Sequence, residues 1–148
     1  MRISVKGRYA LAAVIVIADK QASETNVTVG SISEELGVSK IYLEQVFAQL
    51  KKVGLLTSTK GPKGGYQFAR APIGITVWEV LSALETGLSE QTENTVGESD
   101  PGIEMALRER IYDPVDLALK QTLSAISVQD LHDHAVGQRA EQSFMMGL

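Results

Sequence analysis

The sequence predicts a mainly α-helical domain carrying one small β-hairpin and ending in a long helix. Three observations predict it. Apolar residues recur at three-four spacing through most of the chain, as on one face of a helix. Two short β-prone runs, Leu55–Thr59 and Tyr66–Ala69, flank Gly61-Pro-Lys-Gly-Gly65, which reads as a hairpin with a glycine-rich tip. The segment around Gly37-Val38-Ser39 joins two helical patterns by a short turn containing glycine.

In chain order, residues 4–20 read as a largely buried helix and Gln21 to Asn26 as a polar loop. Thr28 caps a short second helix through Leu36, and Gly37 supplies its left-handed stop. Ser31 with Glu34 offers an alternative capping box for a slightly later start. Ser39 caps a third helix to Val53, anchored by Leu43, Val46, Phe47 and Leu50 and closed by Gly54. After the hairpin, Thr76–Leu84 is a fourth helix. Residues 86–101 are acidic and polar, a flexible loop. Helical pattern resumes from about Gly102 to Ile126. Ser127 caps a last short helix through Ala135, and the tail beyond has little helical pattern. The domain organisation is therefore 1–85, a winged helix-turn-helix; 86–101, an acidic loop; and 102–148, a long helix with a C-terminal segment.

Composition narrows the function classes. The chain has 148 residues, 44% apolar and 22% charged, ordinary for a soluble globular domain. Cysteine is absent, which excludes disulfides, thiolate-bound zinc, cysteine-ligated iron–sulfur clusters and a cysteine nucleophile. Charge is split: residues 1–70 hold ten Lys or Arg against five Asp or Glu, and residues 71–148 hold four against thirteen. A basic half beside an acidic half suits a protein that applies one end to a polyanion. No nucleophile–base pairing or phosphate loop appears, so the chain does not read as an enzyme. His132 and His134 flank Asp133 and read as surface residues.

Arg2, Lys6 and Arg8 precede the apolar run Tyr9–Ala18, which resembles a secretory signal. Ten residues are too few to span a bilayer, which needs about 20. Asp19 and Lys20 follow in place of a cleavage site, so a buried first helix is the better account. No membrane association and a cytoplasmic location are expected.

The third helix is the candidate recognition element, because an exposed helix can enter a major groove about 12 Å wide. Outside its apolar face lie Ser39, Lys40, Tyr42, Glu44, Gln45, Gln49 and Lys52, with Lys40 to Gln45 best placed for bases. The tip Lys60-Gly61-Pro-Lys63-Gly64-Gly65-Tyr66 adds two cations on a backbone that can approach a phosphate closely. Helix-turn-helix plus hairpin is a winged helix. Such a unit reads nucleic acid or, alternatively, serves only protein interaction. The long helix carries Ile103, Leu107, Ile111, Val115, Leu119 and Leu123 every four residues, a stripe suited to a partner helix. Pro114 interrupts it, so the segment is kinked or is two helices.

Met1-Arg-Ile-Ser-Val-Lys-Gly-Arg-Tyr-Ala10, Tyr42-Leu-Glu-Gln45 and Lys60–Tyr66, in that order, resemble the bacterial Rrf-type winged-helix repressors, the family of IscR, NsrR and CymR. The similarity covers residues 1–85 strongly and the later elements, through Leu131, more loosely. The resemblance implies a homodimer on double-stranded DNA, with Leu107, Ile111, Val115, Leu119 and Leu123 at the dimer interface. It implies that Glu44 accepts from a cytosine amine, supported by Tyr42 and Gln45, that Lys60 reaches the minor groove, and that Arg2, Lys6 and Arg8 face phosphates. Many members carry arginine at the position of Lys60; lysine lacks the planar fork. Cluster-binding members place three cysteines in the loop corresponding to Thr86–Glu104. Gly102 stands near the last cysteine position and Met105 near a histidine that some members use as a ligand. This implies the cluster-free, CymR-like subgroup, with no cofactor, and with a small-molecule effector or a partner metabolic enzyme as a further partner.

Overall fold

A computed structural model describes residues 2–23, 26–62 and 64–147. Helix α1 (Val5–Gln21) is capped by Ser4, whose hydroxyl accepts from the Gly7 N–H at 3.0 Å. Helix α2 (Val29–Leu36) starts at Thr28, which wins over the later capping box. Gly37 ends it with φ +66, a left-handed conformation that glycine adopts without a Cβ clash. Two residues on, Ser39 caps helix α3 (Lys40–Lys52) by accepting from the Tyr42 N–H at 3.1 Å.

Strands β1 (Leu56–Thr59) and β2 (Gly65–Phe68) pair antiparallel, Leu56 opposite Phe68 and Thr59 opposite Gly65. Val27, just before α2, bridges Tyr66 through two backbone hydrogen bonds of 2.8 Å, so the wing is stitched to the helix-turn-helix. Gly64 is required at the tip: a Cβ there would sit 2.2 Å from the Thr59 carbonyl oxygen.

Helix α4 (Val77–Leu84) opens on a Thr76–Glu79 capping box, and α7 (Val128–Met145) on a Ser127–Asp130 box. The two caps lie side by side: Thr76 bridges Ser127, the Val77 N–H donates to the Ile126 carbonyl, and the Val128 N–H to the Ile75 carbonyl, both at 2.8 Å. Between them runs a helical rod: α5 (Pro101–Leu107), a π-helical turn over Arg108–Tyr112, and α6 (Asp113–Ser124).

The rod resolves the question raised by Pro114. Proline cannot donate to the carbonyl four residues back, and its ring crowds that carbonyl. The wider π turn immediately before it absorbs the defect, and the backbone stays helical through Tyr112 and Asp113.

One core joins α1 (Ala10, Ala13, Val14, Ile17), α3 (Leu43, Val46, Phe47, Leu50), Ile32 and Val80, and Val128 from the far end of the chain belongs to it. A second cluster packs Val77 and Leu81 against Leu123, with Trp78, Leu119 and Leu131 at its edge. The boundary at residue 85 is thus not a break in packing, since α7 lies along α1. That helix also runs ten residues beyond Ala135, through a stretch with no apolar period. Its distal half is exposed and carries Gln, Arg, Ala and Glu, residues that favour helix without packing. Nor are both histidines at the surface. His132 Nε2 lies 2.9 Å from Asp19 Oδ1, and Arg139 reaches the other oxygen at 3.3 Å, tying α7 to α1. His134 is exposed. Among the described residues no helix is long and apolar enough to cross a membrane.

Candidate nucleic-acid interface and the helical rod

Helix α3 turns Leu43, Val46, Phe47 and Leu50 into the core and leaves Ser39, Lys40, Glu44 and Gln45 exposed. Tyr42 is half-buried and meets Tyr9 of α1 edge-to-face, ring centroids 5.6 Å apart, which fixes its orientation. Gln49 departs from expectation. It is half-buried, with its side-chain oxygen enclosed, and so faces the packing side. Ile41, apolar among these polar side chains, is 71% exposed beside Lys40.

The wing stands next to this helix. The Tyr66 ring packs 5.0 Å from Phe47, and burial first, then the Glu44 carboxylate, pushes the Tyr66 hydroxyl above the usual phenol range. Glu44 is therefore close enough to be felt by the wing. Lys60 and Gly61 are exposed at the tip, Gly64 and Gly65 are half-buried at the start of β2, and Lys63 lies outside the described residues. On α1, Arg8 is exposed and Lys6 half-buried. Arg2 is exposed but lines a cleft with Glu85, Glu90, Glu93 and Asp116, so its neighbours are acidic. Lys51, which the sequence did not single out, donates to the Ser58 hydroxyl at 2.6 Å and braces β1 against α3.

The rod has two working faces. On one, residues 104, 108, 112 and 116 hold the preceding loop. Glu104 Oε2 accepts the backbone N–H groups of Thr95 and Val96, each at 2.9 Å. Arg108 donates to the Thr92 carbonyl at 2.7 Å and to Asn94 at 2.9 Å. The Tyr112 hydroxyl meets the Thr95 hydroxyl at 2.6 Å, and Asp116 accepts from the Thr92 N–H and hydroxyl at 3.1 and 2.9 Å. The Val96 amide first, then that of Thr95 and the Arg108 charge, hold the Glu104 carboxyl below the ordinary range against its partial desolvation. The acidic segment is non-helical between residues 89 and 100, as its composition implies, and these bonds tether it.

The other face is apolar, but the stripe read from the sequence divides. Ile103, Ile111 and Val115 are 52%, 50% and 59% exposed, and Leu107 is half-buried. Leu119 is half-buried against the second cluster, and Leu123 lies within it, 8% exposed. Each four-residue step on an α-helix advances about 40°, because a turn takes 3.6 residues. Two steps beyond Val115 therefore carry the stripe round into the chain's own core. Leu123 is an intrachain residue, and of the stripe Ile103, Ile111 and Val115 remain exposed.

Comparison with known proteins agrees with this architecture. The family model described as "Rrf2: Iron-dependent Transcriptional regulator" matches residues 3–134. The chain belongs to the Rrf2 family. Among curated Rrf2-like relatives, the HTH-type transcriptional regulator IscR of Xenorhabdus nematophila is 35% identical over 131 residues, covering 88% of this chain and 79% of that protein. IscR of Vibrio cholerae is 32% identical over 157 residues, covering 97% and 90%. Among solved structures, CymR (YrzC), the global cysteine regulator of B. subtilis, superposes with a TM-score of 0.75 at 29% identity, covering 90% of this chain and 98% of that one. T. potens IscR gives 0.70 at 29% identity, covering 91% and 88%. The fold is thus the winged helix of Rrf2 transcriptional regulators. An iron–sulfur cluster would find no thiolate in this Rrf2 chain, which has no cysteine, so the residues present do not fit that group. Glu104 and Arg108 instead take hold of the backbone of the loop at residues 92–96.

Proposed function

We propose that this protein is a cluster-free, homodimeric Rrf2 regulator that represses transcription by binding an inverted-repeat operator. The observation that carries the reading is the exposed set Ser39, Lys40, Glu44 and Gln45 at the start of α3, together with the exposed cations Lys60 of the wing and Arg8 of α1. Helix α3 lies in the major groove, where Glu44 accepts from a cytosine amine and Gln45 and Tyr42 support it. Lys60 enters the minor groove, and Lys6, Arg8, Lys40 and Lys63 neutralise phosphates. Arg2 joins them only by swinging away from its acidic cleft. The likeness to CymR and the lack of cysteine support the cluster-free reading. The dimer forms on the rod through Ile103, Leu107, Ile111 and Val115. One winged helix reads few base pairs, so two copies supply specificity, with half-sites about 34–36 Å apart or a multiple of that.

The experiment is selection of duplex DNA from a random pool by the full-length protein, followed by binding at several salt concentrations. An enriched inverted repeat whose affinity falls steeply with salt, as displaced counterions require, supports the reading. Equal weak binding to every sequence, or a flat salt response, overturns it in favour of a protein-interaction module. Anaerobically purified protein is expected to be colourless; a brown preparation with stoichiometric iron and sulfide refutes the cluster-free part.

A further inference from the structure

We infer that Ile41 is a base-reading residue that recognises the methyl group of a thymine in the major groove. This rests on the DNA-binding reading above and adds a specificity element that polar residues cannot provide. Ile41 is the second residue of α3, in the turn that a helix-turn-helix applies to base edges. It is 71% exposed, although the other large aliphatic side chains of α3 (Leu43, Val46 and Leu50) are fully buried. It points away from them, since two residues along a helix turn the side chain by about 200°. Its neighbours on the outward face are Glu44 and Gln45, three and four residues on, both exposed.

The surroundings select the occupant. Ile41 stands between Lys40 and Glu44 on the basic half of the chain, and its exposed neighbours on α3, Lys40, Glu44 and Gln45, are all polar. In a major groove the apolar group on offer is the C5-methyl of thymine. The β-branched side chain has few rotamers to lose on contact, which suits it to a fixed position. Spacing then fixes the site. Side chains one helical turn apart stand about 5–6 Å from each other. Base pairs rise by about 3.4 Å. The thymine read by Ile41 therefore lies one or two base pairs from the cytosine read by Glu44.

The test uses the full-length protein and the duplex enriched from a random pool. Each thymine of that duplex is replaced in turn by uracil, which removes the methyl and leaves pairing intact. One thymine per half-site, within two base pairs of the key cytosine, is expected to show about a four-fold loss of affinity on replacement, the value of one buried methyl. Ile41→Ala should bind the thymine and uracil duplexes equally, and Ile41→Val should keep most of the difference. The residue is exposed, so both variants fold, which their circular dichroism verifies. If wild type tolerates uracil at every position, or Ile41→Ala retains the same preference for thymine, the assignment to Ile41 is wrong while DNA binding stands. If the pool yields no enriched sequence, the DNA-binding reading fails, and this inference fails with it.

Discussion

Replacing Val115 with Glu separates an interface between copies from ordinary core. Val115 is 59% exposed in the single chain, so a glutamate there meets water and should change the stability of the monomer by no more than about 0.5 kcal/mol. In a dimer on the rod the same position is covered. Full burial of a valine or isoleucine is worth about 1.5–3 kcal/mol, so covering the exposed half contributes about 1 kcal/mol per copy. A two-fold axis doubles that loss to about 2 kcal/mol and buries two unpaired carboxylates, each costing several kcal/mol. The sum exceeds about 4 kcal/mol, a weakening of the dimer by about a thousand-fold or more. Sedimentation equilibrium at micromolar concentration reads this directly, with circular dichroism as the control for folding. The expected result is a folded monomer that has lost operator affinity. A folded variant that remains dimeric moves the interface elsewhere, and a monomeric wild type refutes the dimer altogether. Leu123→Glu makes the contrast: Leu123 is buried inside the chain, so that change should unfold the protein outright.

Glu44→Ala should relax base preference at one position of the selected site by about 1–3 kcal/mol, read by competition with single-base variants; an unchanged site refutes its role. Glu104→Gln should speed amide exchange at Thr95 and Val96 and cleavage of the acidic segment by protease, with the helices intact; unchanged protection would show that the segment is held by something else. Asp19 has its carboxyl held below the ordinary range, chiefly by the hydrogen bond from His132 and then by Arg139. A depressed folded-state value means stability that is present above the unfolded value and lost as pH falls through the folded one, so it fades below about pH 4. Asp19→Asn should be less stable than wild type near neutrality, with the gap closing in acid; urea titrations across that range would expose a constant gap, which contradicts the linkage.

The helix-turn-helix and wing were legible because their signals are local. Ser39, Gly37 and Thr28 each act on the backbone within three residues, and Leu43, Val46, Phe47 and Leu50 carry their period openly. Ile41 was equally visible, opposite the apolar stripe, but a search for polar contacts passes over it. The rod was legible only in part. A period of four reads as one face, whereas the helix rotates that stripe into the core by Leu123. The π turn beside Pro114 depends on how one residue's missing N–H is absorbed, which composition does not reveal. The loop-holding ladder joins a non-periodic loop to a helix, and the His132–Asp19 contact joins residues 113 positions apart, so neither leaves a local pattern.

The adjoining caps at Thr76 and Ser127 make the rod a lever with its fulcrum at Ile126. Leu123 beside that fulcrum is embedded, whereas the opposite end, near Ile103, is held by the loop bonds of Glu104 and Arg108. From residue 124 to residue 101 the rod is about 35 Å long at a rise near 1.5 Å per residue. A tilt of about 5° at the fulcrum therefore displaces the far end by about 3 Å, close to the rise of one base pair. The fulcrum itself is the N-terminus of α4, whose other end meets α1 where Glu85 accepts from Ser4. The loop at residues 92–96 is thus held at the end of the rod far from the adjoining caps.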